Sequence, residues 1–234
     1  MSQDRRTAIV AGVLFIVATT ASLLGRVVLL DPILKEGTDI LAKVGANQNQ
    51  VAAGALFGLV GFFTCAGIAI ALYPVLRRYS EGLALGAVGL RIIEGVLYSI
   101  GAIAVLSMLT LSREFVGAGA PASSHLQASG ALLMTVRSWA GMAGTLAFYP
   151  AGLLYYIVFY RSRLIPRWLS GWGIVAVMMG FAASILVVFQ IITPMTTPQI
   201  VLNLPIFLQE MVLAVWLIAR GFSPSALASL RGSE

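Results

Sequence analysis

Long apolar runs, interrupted by short polar or arginine-bearing stretches, set the hydrophobic pattern of this chain. Six of them cover residues 7–30, 51–76, 82–111, 131–160, 169–192 and 200–220. An α-helix rises about 1.5 Å per residue, so each run is long enough to cross a hydrocarbon core of about 30 Å. The pattern predicts an all-α integral membrane protein with six transmembrane helices, forming one membrane domain over residues 1–234. Two of the connecting stretches are longer than the others. Residues 31–50 set Ile33, Leu34, Ile40, Leu41 and Val44 among charged neighbours, which predicts a short amphipathic helix lying at the headgroups or capping the spans. Residues 112–130 are rich in Gly, Ala, Ser and Pro and predict a solvated loop carrying the single histidine, His125.

Composition agrees with the pattern. The chain is 59% hydrophobic and 10% charged, with a mean hydropathy of +0.94, whereas soluble domains carry about 25% charged residues. Its net charge of +6 is a topology signal. Arg5 and Arg6 precede the first run, Arg77 and Arg78 join the second to the third, and Arg161, Arg163 and Arg167 join the fourth to the fifth. Arg220 and Arg231 follow the sixth, while the intervening connections hold only Lys35, Lys43 and Arg113. This alternation predicts both termini on the cytoplasmic side. A nucleic-acid surface would need a basic patch on a soluble face, and the pattern offers none. The first run is longer than a cleaved signal segment and lacks an A-x-A site, so it reads as a retained helix. One cysteine, Cys65, excludes an intrachain disulfide.

The candidate chemistry lies in charges placed inside the runs. Arg91 and Glu94 fall in 82–111, Arg137 in 131–160 and Glu210 in 200–220. Each charge at a bilayer centre costs roughly 2.5–3.5 kcal/mol on an insertion scale, so such residues are paired or functional. The helical rise puts Arg91 roughly 14 Å and Glu210 roughly 15 Å into their spans, at a common depth. Glu94 lies nearly one turn further outward, and Arg137 enters from the outer side by roughly 9 Å. Three pairings follow: Arg91 with Glu210, Glu94 with Arg137, and Arg91 with Glu94 within one helix. Arg26 either snorkels to the interface or turns inward. If it turns inward, three arginines face two glutamates in a net-positive pocket suited to a lipid phosphate or a carboxylate. Asn203, Gln209, Gln190, Tyr98 and Trp139 are the polar and aromatic candidates for its lining. Asn203 and Glu210, seven apart, share a helix face, and Gln209 is rotated away from it.

Other chemistries find less support. No Ser–His–acid set, metal-protease motif or phosphate loop is present, and one histidine without a Cys, Asp or Glu cluster makes no metal or haem site. No cofactor is expected. Two carboxylates could serve acid–base chemistry, but the arginines beside them supply countercharge, which counts against a proton relay. Small residues four apart (Gly82 and Gly86, Gly95 and Ser99, Gly141 and Thr145) suit close helix packing, and they suggest that the third and fourth spans press together beside their charges. Pro150 and Pro205 predict kinks.

Three segments carry a family resemblance: LYPVLRRYSEGLALGAVGLRIIEG at 72–95, RSRLIPRWLSGWG at 161–173 and LPIFLQEMVLAVWLIARGF at 204–222, together with Gly12 and Gly25-Arg26 in the first run. They resemble the bacterial family catalogued as domain of unknown function 4386. The resemblance spans nearly the whole chain and implies a small six-span protein of the bacterial cytoplasmic (inner) membrane; it carries no activity or ligand. Together the residues lead to the expectation of a membrane protein that binds or transports an amphipathic anion or lipid. Arg91 and Arg137 would hold the ligand, with Glu94 and Glu210 orienting them. The competing expectations are a structural subunit whose charges only set helix packing, a homo-oligomer among its forms, and an intramembrane enzyme using Glu94 or Glu210.

Overall fold

The computed structural model describes residues 2–34, 39–117, 120–194 and 196–231, and every regular element among them is helical. In hydrocarbon a backbone must satisfy its own N–H and C=O groups, and a helix does so within one segment. The elements are α1 (Gln3–Ser22), a π-helical segment (Leu23–Leu30), α2 (Asp31–Leu34), α3 (Ile40–Ala46), α4 (Gln48–Leu76), α5 (Glu81–Gly117), α6 (Ala120–Ser162), α7 (Arg167–Val188), α8 (Thr197–Ala219) and α9 (Pro224–Arg231). Six helical stretches are long and apolar enough to cross a membrane: Gln3–Leu34, Gln48–Leu76, Glu81–Gly117, Ser124–Ser162, Arg167–Val188 and Thr197–Ala219. The protein is an all-α, multi-pass membrane protein.

Several helices outrun the apolar pattern, which marks hydrocarbon contact rather than helix ends. With 37 and 43 residues, α5 and α6 are roughly 55 and 65 Å long at the helical rise. The solvated loop expected at 112–130 is accordingly helix over most of its described length: α5 continues to Gly117 and α6 begins at Ala120. Ala and Ser are compatible with helix outside the membrane, and Pro121 falls in the first turn, where its missing N–H costs nothing. His125 is exposed on α6. Of the expected 31–50 segment, residues 35–38, with Lys35, lie outside the described residues.

The first span changes geometry midway. The backbone N–H of Asp31 donates to the carbonyl of Arg26, a five-residue spacing that widens the helix over Leu23–Leu30. This span runs on through α2, four residues past its apolar end at Leu30.

Residues cluster into two compact units. Unit 1 holds Met1–Ile16, Thr64–Glu94 and Thr145–Glu234; unit 2 holds Val17–Phe63 and Gly95–Gly144. In unit 2, Leu30, Ile33, Leu34, Val44, Val51, Ala55, Val105 and Met108 form one buried cluster, with Leu133 and Met134 packed on it. The apolar face of α2 and α3 is thus used for capping. Close approach relies on Gly25, where an added Cβ would lie 2.8 Å from Phe57 Cβ, and on Gly95, where it would lie 2.5 Å from Phe62 Cδ2. Gly95 therefore fits α4 rather than the fourth span, and an added Cβ at Gly82 or Gly141 would meet no other segment within 4 Å.

In unit 1, α6, α7 and α8 are joined by a repeated device. Tyr149 and Tyr156 are two helical turns apart on α6, as Gly173 and Gly180 are on α7. A Cβ at Gly173 would come within 2.5 Å of the Tyr156 ring, and one at Gly180 would strike the Tyr149 ring. The rings cross α7 at these notches and reach α8, where Tyr149 donates its hydroxyl hydrogen to Asn203 Oδ1 and Tyr156 to Gln209 Oε1. Gln209 Nε2 returns a bond to the Leu169 carbonyl at 3.1 Å. At the opposite end of α8, Arg5 donates to the last carbonyls, including Leu217 at 3.1 Å. Arg78 meets Asp4 at 2.9 Å. Two arginines read as topology charges thus also close contacts within the unit.

Because the hydroxyl of Tyr156 is held, its ring cannot move aside. Gly173→Ala is expected to destabilise the protein by about 1–3 kcal/mol through overpacking. Gly89→Ala, with nothing within 4 Å of the new Cβ, is expected to cause no loss. Denaturation midpoints in mixed micelles compare the two directly.

Candidate functional site

On α5, a separation of three residues puts Arg91 and Glu94 on one face. Arg91 NH1 donates to both carboxylate oxygens of Glu94, at 3.2 Å and 2.9 Å. Each residue is only 2% exposed. Cys65 on α4 donates its thiol hydrogen to Glu94 Oε1 at 3.4 Å. From α6, the rings of Phe148 and Tyr155 lie 5.0 Å and 5.9 Å from Arg91 Cζ, within cation–π range. Glu210 on α8 approaches as well, its Oε1 3.9 Å from Arg91 NH2. That is ion-pair contact but too long for a hydrogen bond. Tyr155 donates to the same oxygen at 3.5 Å.

Hydrogen bonding leaves one edge of the guanidinium open. NH1 is shared by the two Glu94 oxygens, while Nε has no partner among the described residues and NH2 falls short of Glu210. Nε and NH2 together form one of the planar forks by which arginine grips a carboxylate or phosphate. With both glutamates ionised, one arginine faces two carboxylates and the formal charge of the cluster is −1. The side chain of Glu210 is 15% exposed against 3% for Glu94, so Glu210 is the less confined counter-ion. Gln209 has both ends of its amide engaged in the α6–α7–α8 contacts. Asn203 accepts from Tyr149 and donates to the Gln199 carbonyl at 2.8 Å. Gln190 is exposed in the turn after α7, with φ of +57°.

Unit 2 holds a second group. Arg137 NH2 lies 3.8 Å from Asp31 Oδ1, with both side chains about one-fifth exposed. Arg26 lies near enough to exert like-charge repulsion on Arg137 and is itself exposed, on the π-helical segment. Two arginines against one aspartate give this group a formal charge of +1. Tyr98 is half-buried in the same unit, and Trp139 turns outward at 52% exposure.

The residues expected to form one pocket therefore fall into two groups. The Arg91–Glu94 and Arg91–Glu210 pairings are present within unit 1, and within unit 2 Arg137 meets Asp31. Sequence reasoning passed over Asp31, which followed the last apolar residue of the first run and was assigned to a connection. It also passed over Phe148 and Tyr155, whose aromatic spacing resembles ordinary span composition. The seven-residue spacing shared by the Tyr149–Tyr156 and Gly173–Gly180 pairs was the available signal for the α6–α7 contact. Among the described residues no group of three or more His, Cys, Asp or Glu side chains could hold a metal ion.

The chain belongs to the family described as domain of unknown function (DUF4386), whose model matches residues 10–221. No curated protein and no solved structure matches it.

Removing Glu94 alone would strand a buried guanidinium. Glu94→Leu is expected to lower stability by roughly 3–5 kcal/mol, and Arg91→Met with Glu94→Leu to recover most of that loss. Thermal unfolding in detergent, followed by size-exclusion chromatography, measures both variants against the parent.

Proposed function

We propose that this DUF4386 protein binds an amphipathic anion, a lipid or a lipid-like carboxylate or phosphate, with Arg91 as its anchor. The observation that carries the reading is a buried Arg91 Nε without a hydrogen-bond partner among the described residues, beside an NH2 that meets Glu210 only at 3.9 Å, on a guanidinium 2% exposed. An oxyanion meets both donors of such a fork in one plane. Glu94 keeps the arginine neutralised and oriented through NH1. Glu210 acts as the resident counter-ion, close enough to hold NH2 electrostatically but not hydrogen-bonded to it, and yields to the ligand. Arg137 and Arg26, in excess over Asp31, provide a second anion-attracting group. The arginine distribution supports cytoplasmic termini, and the family resemblance supports the bacterial cytoplasmic membrane.

The structural reading has its own support in the close packing around the cluster, where Phe148, Tyr155 and Cys65 all contact the pair. A substitution at Glu210 separates the two readings. If Glu210 competes with the ligand for Arg91, Glu210→Ala raises retention of a co-purified anion about tenfold, equivalent to about 1.4 kcal/mol. Arg91→Leu abolishes retention while the protein still inserts. Native mass spectrometry of protein extracted in mild detergent reads both. Equal retention by Arg91→Leu and the parent would sink the proposal, and a Glu210→Ala variant that is merely less stable favours the packing role.

A further inference from the structure

A second concave site lies in unit 1, where the α6–α7 link meets the α8–α9 link. The two links are tied together by the backbone N–H of Ser223, which donates to the Leu164 carbonyl at 2.8 Å. Between them opens a groove of about 720 Å³, whose walls include Arg163, Arg167, Arg220, Trp216, Phe222 and Pro224. Its floor is apolar, with Leu164 and Phe222 buried, while the three arginines are exposed. Among the described residues no acidic side chain lines it, and none of the three arginines makes an ion pair.

Four further observations bear on what such a groove accepts. Arg163 holds φ of +56°, a left-handed conformation that costs a non-glycine residue energy and is concentrated at functional sites. The N-terminal ends of α7 and α9 begin at lining residues, Arg167 and Pro224, and such ends favour anions. The C-terminal end of α8, which would repel an anion, has its carbonyls covered by Arg5. A Cβ at Gly221, another lining residue, would sit 2.9 Å from Arg5 NH1, so this fourth cation lies under the groove. Finally, Trp168 meets Trp216 edge-on at 6.4 Å and Arg167 lies over the Tyr160 ring at 5.3 Å. Aromatic residues of this kind settle at headgroup level.

We propose that this groove binds a phosphate group, and that the anionic phospholipid headgroup is its natural source. Arg163, Arg167 and Arg220 supply the charge-assisted hydrogen bonds. Trp216 and Trp168 pack against the glycerol and upper acyl region, and the apolar flank of α7 and α8, with Val175 and Val215 about 60% exposed, continues along the chains. The charge pattern assigns this end to the cytoplasmic leaflet, where anionic lipids draw basic pockets between spans. The site shares no residue with the Arg91 cluster.

The test titrates the full chain in mild detergent with phosphatidylglycerol or with phosphatidylcholine of the same acyl chains, counting bound lipids by native mass spectrometry. The parent is expected to prefer phosphatidylglycerol at least tenfold. Arg163→Gln/Arg167→Gln/Arg220→Gln loses that preference, and Arg91→Leu keeps it, so failure here is distinguishable from failure of the Arg91 reading. If the triple variant does not fold, graded losses in the three single variants take its place. Competition with millimolar inorganic phosphate separates the sources: displacement supports a site for free phosphate, and persistence supports the lipid. A parent without preference, or a folded triple variant with the parent's preference, overturns the proposal.

Discussion

A guanidinium withdrawn from water inside a membrane span has to find an acid, an aromatic face and hydrogen-bond acceptors. Arg91 makes that demand on four helices of unit 1. Its first answer is local: Glu94 lies three residues along α5, so the two charges can neutralise each other as the span enters the bilayer. Its second answer is tertiary. Phe148 and Tyr155 offer ring faces from α6, Cys65 supports Glu94 from α4, and Glu210 approaches from α8. An ammonium would meet the charge requirement but could not present a planar fork. The arrangement therefore depends on arginine specifically.

Helices in lipid gain little from apolar contact alone, since lipid tails are equally apolar, and their association rests on close packing and hydrogen bonds. Unit 1 combines the two. Gly173 and Gly180 let the α6 tyrosines cross α7, and the tyrosine hydroxyls finish on Asn203 and Gln209 of α8. This clamp determines where Glu210 is. Its neighbour Gln209 is fixed at both ends of its amide, so α8 is not free to slide. The 3.9 Å separation of Glu210 from Arg91 is then slack in one side chain rather than in the whole helix.

Much of this was legible in the sequence, for stated physical reasons. Apolar run length revealed six spans because the bilayer imposes it, and burial cost singled out Arg91, Glu94 and Glu210. What escaped was information that depends on three-dimensional company. Asp31 looked like a connection residue because it follows Leu30, yet the π-helical segment carries the first span past it and gives Arg137 its acid. The Ser112–Gly130 composition suggested a loop because polarity was taken as the end of the helix, whereas α5 and α6 continue into the polar stretch. Gly95 was correctly marked as a close-packing position, but spacing alone could not say that Phe62 would fill the space.

The division of charge also changes how an anion would be held. Counting three arginines against two glutamates suggested a net-positive pocket that attracts anions outright. With Arg137 and Arg26 grouped around Asp31, the Arg91 cluster has a formal charge of −1 when both glutamates are ionised, and in the proposed reading an incoming anion would gain Arg91 only as Glu210 gave it up. Its affinity is then the difference between two competing contacts, not the sum of several attractions. A ligand that met Arg91 and Glu210 equally well would shift nothing. In the proposed reading, selection would fall to a head group that meets Nε and NH2 together, which Glu210 at 3.9 Å does not do. The exposed arginines between α6, α7, α8 and α9 have no acid to displace, so attraction there is direct and salt-screened. One chain thus presents arginine in two physical settings: buried and already matched by acids at Arg91, and exposed and unmatched between the links.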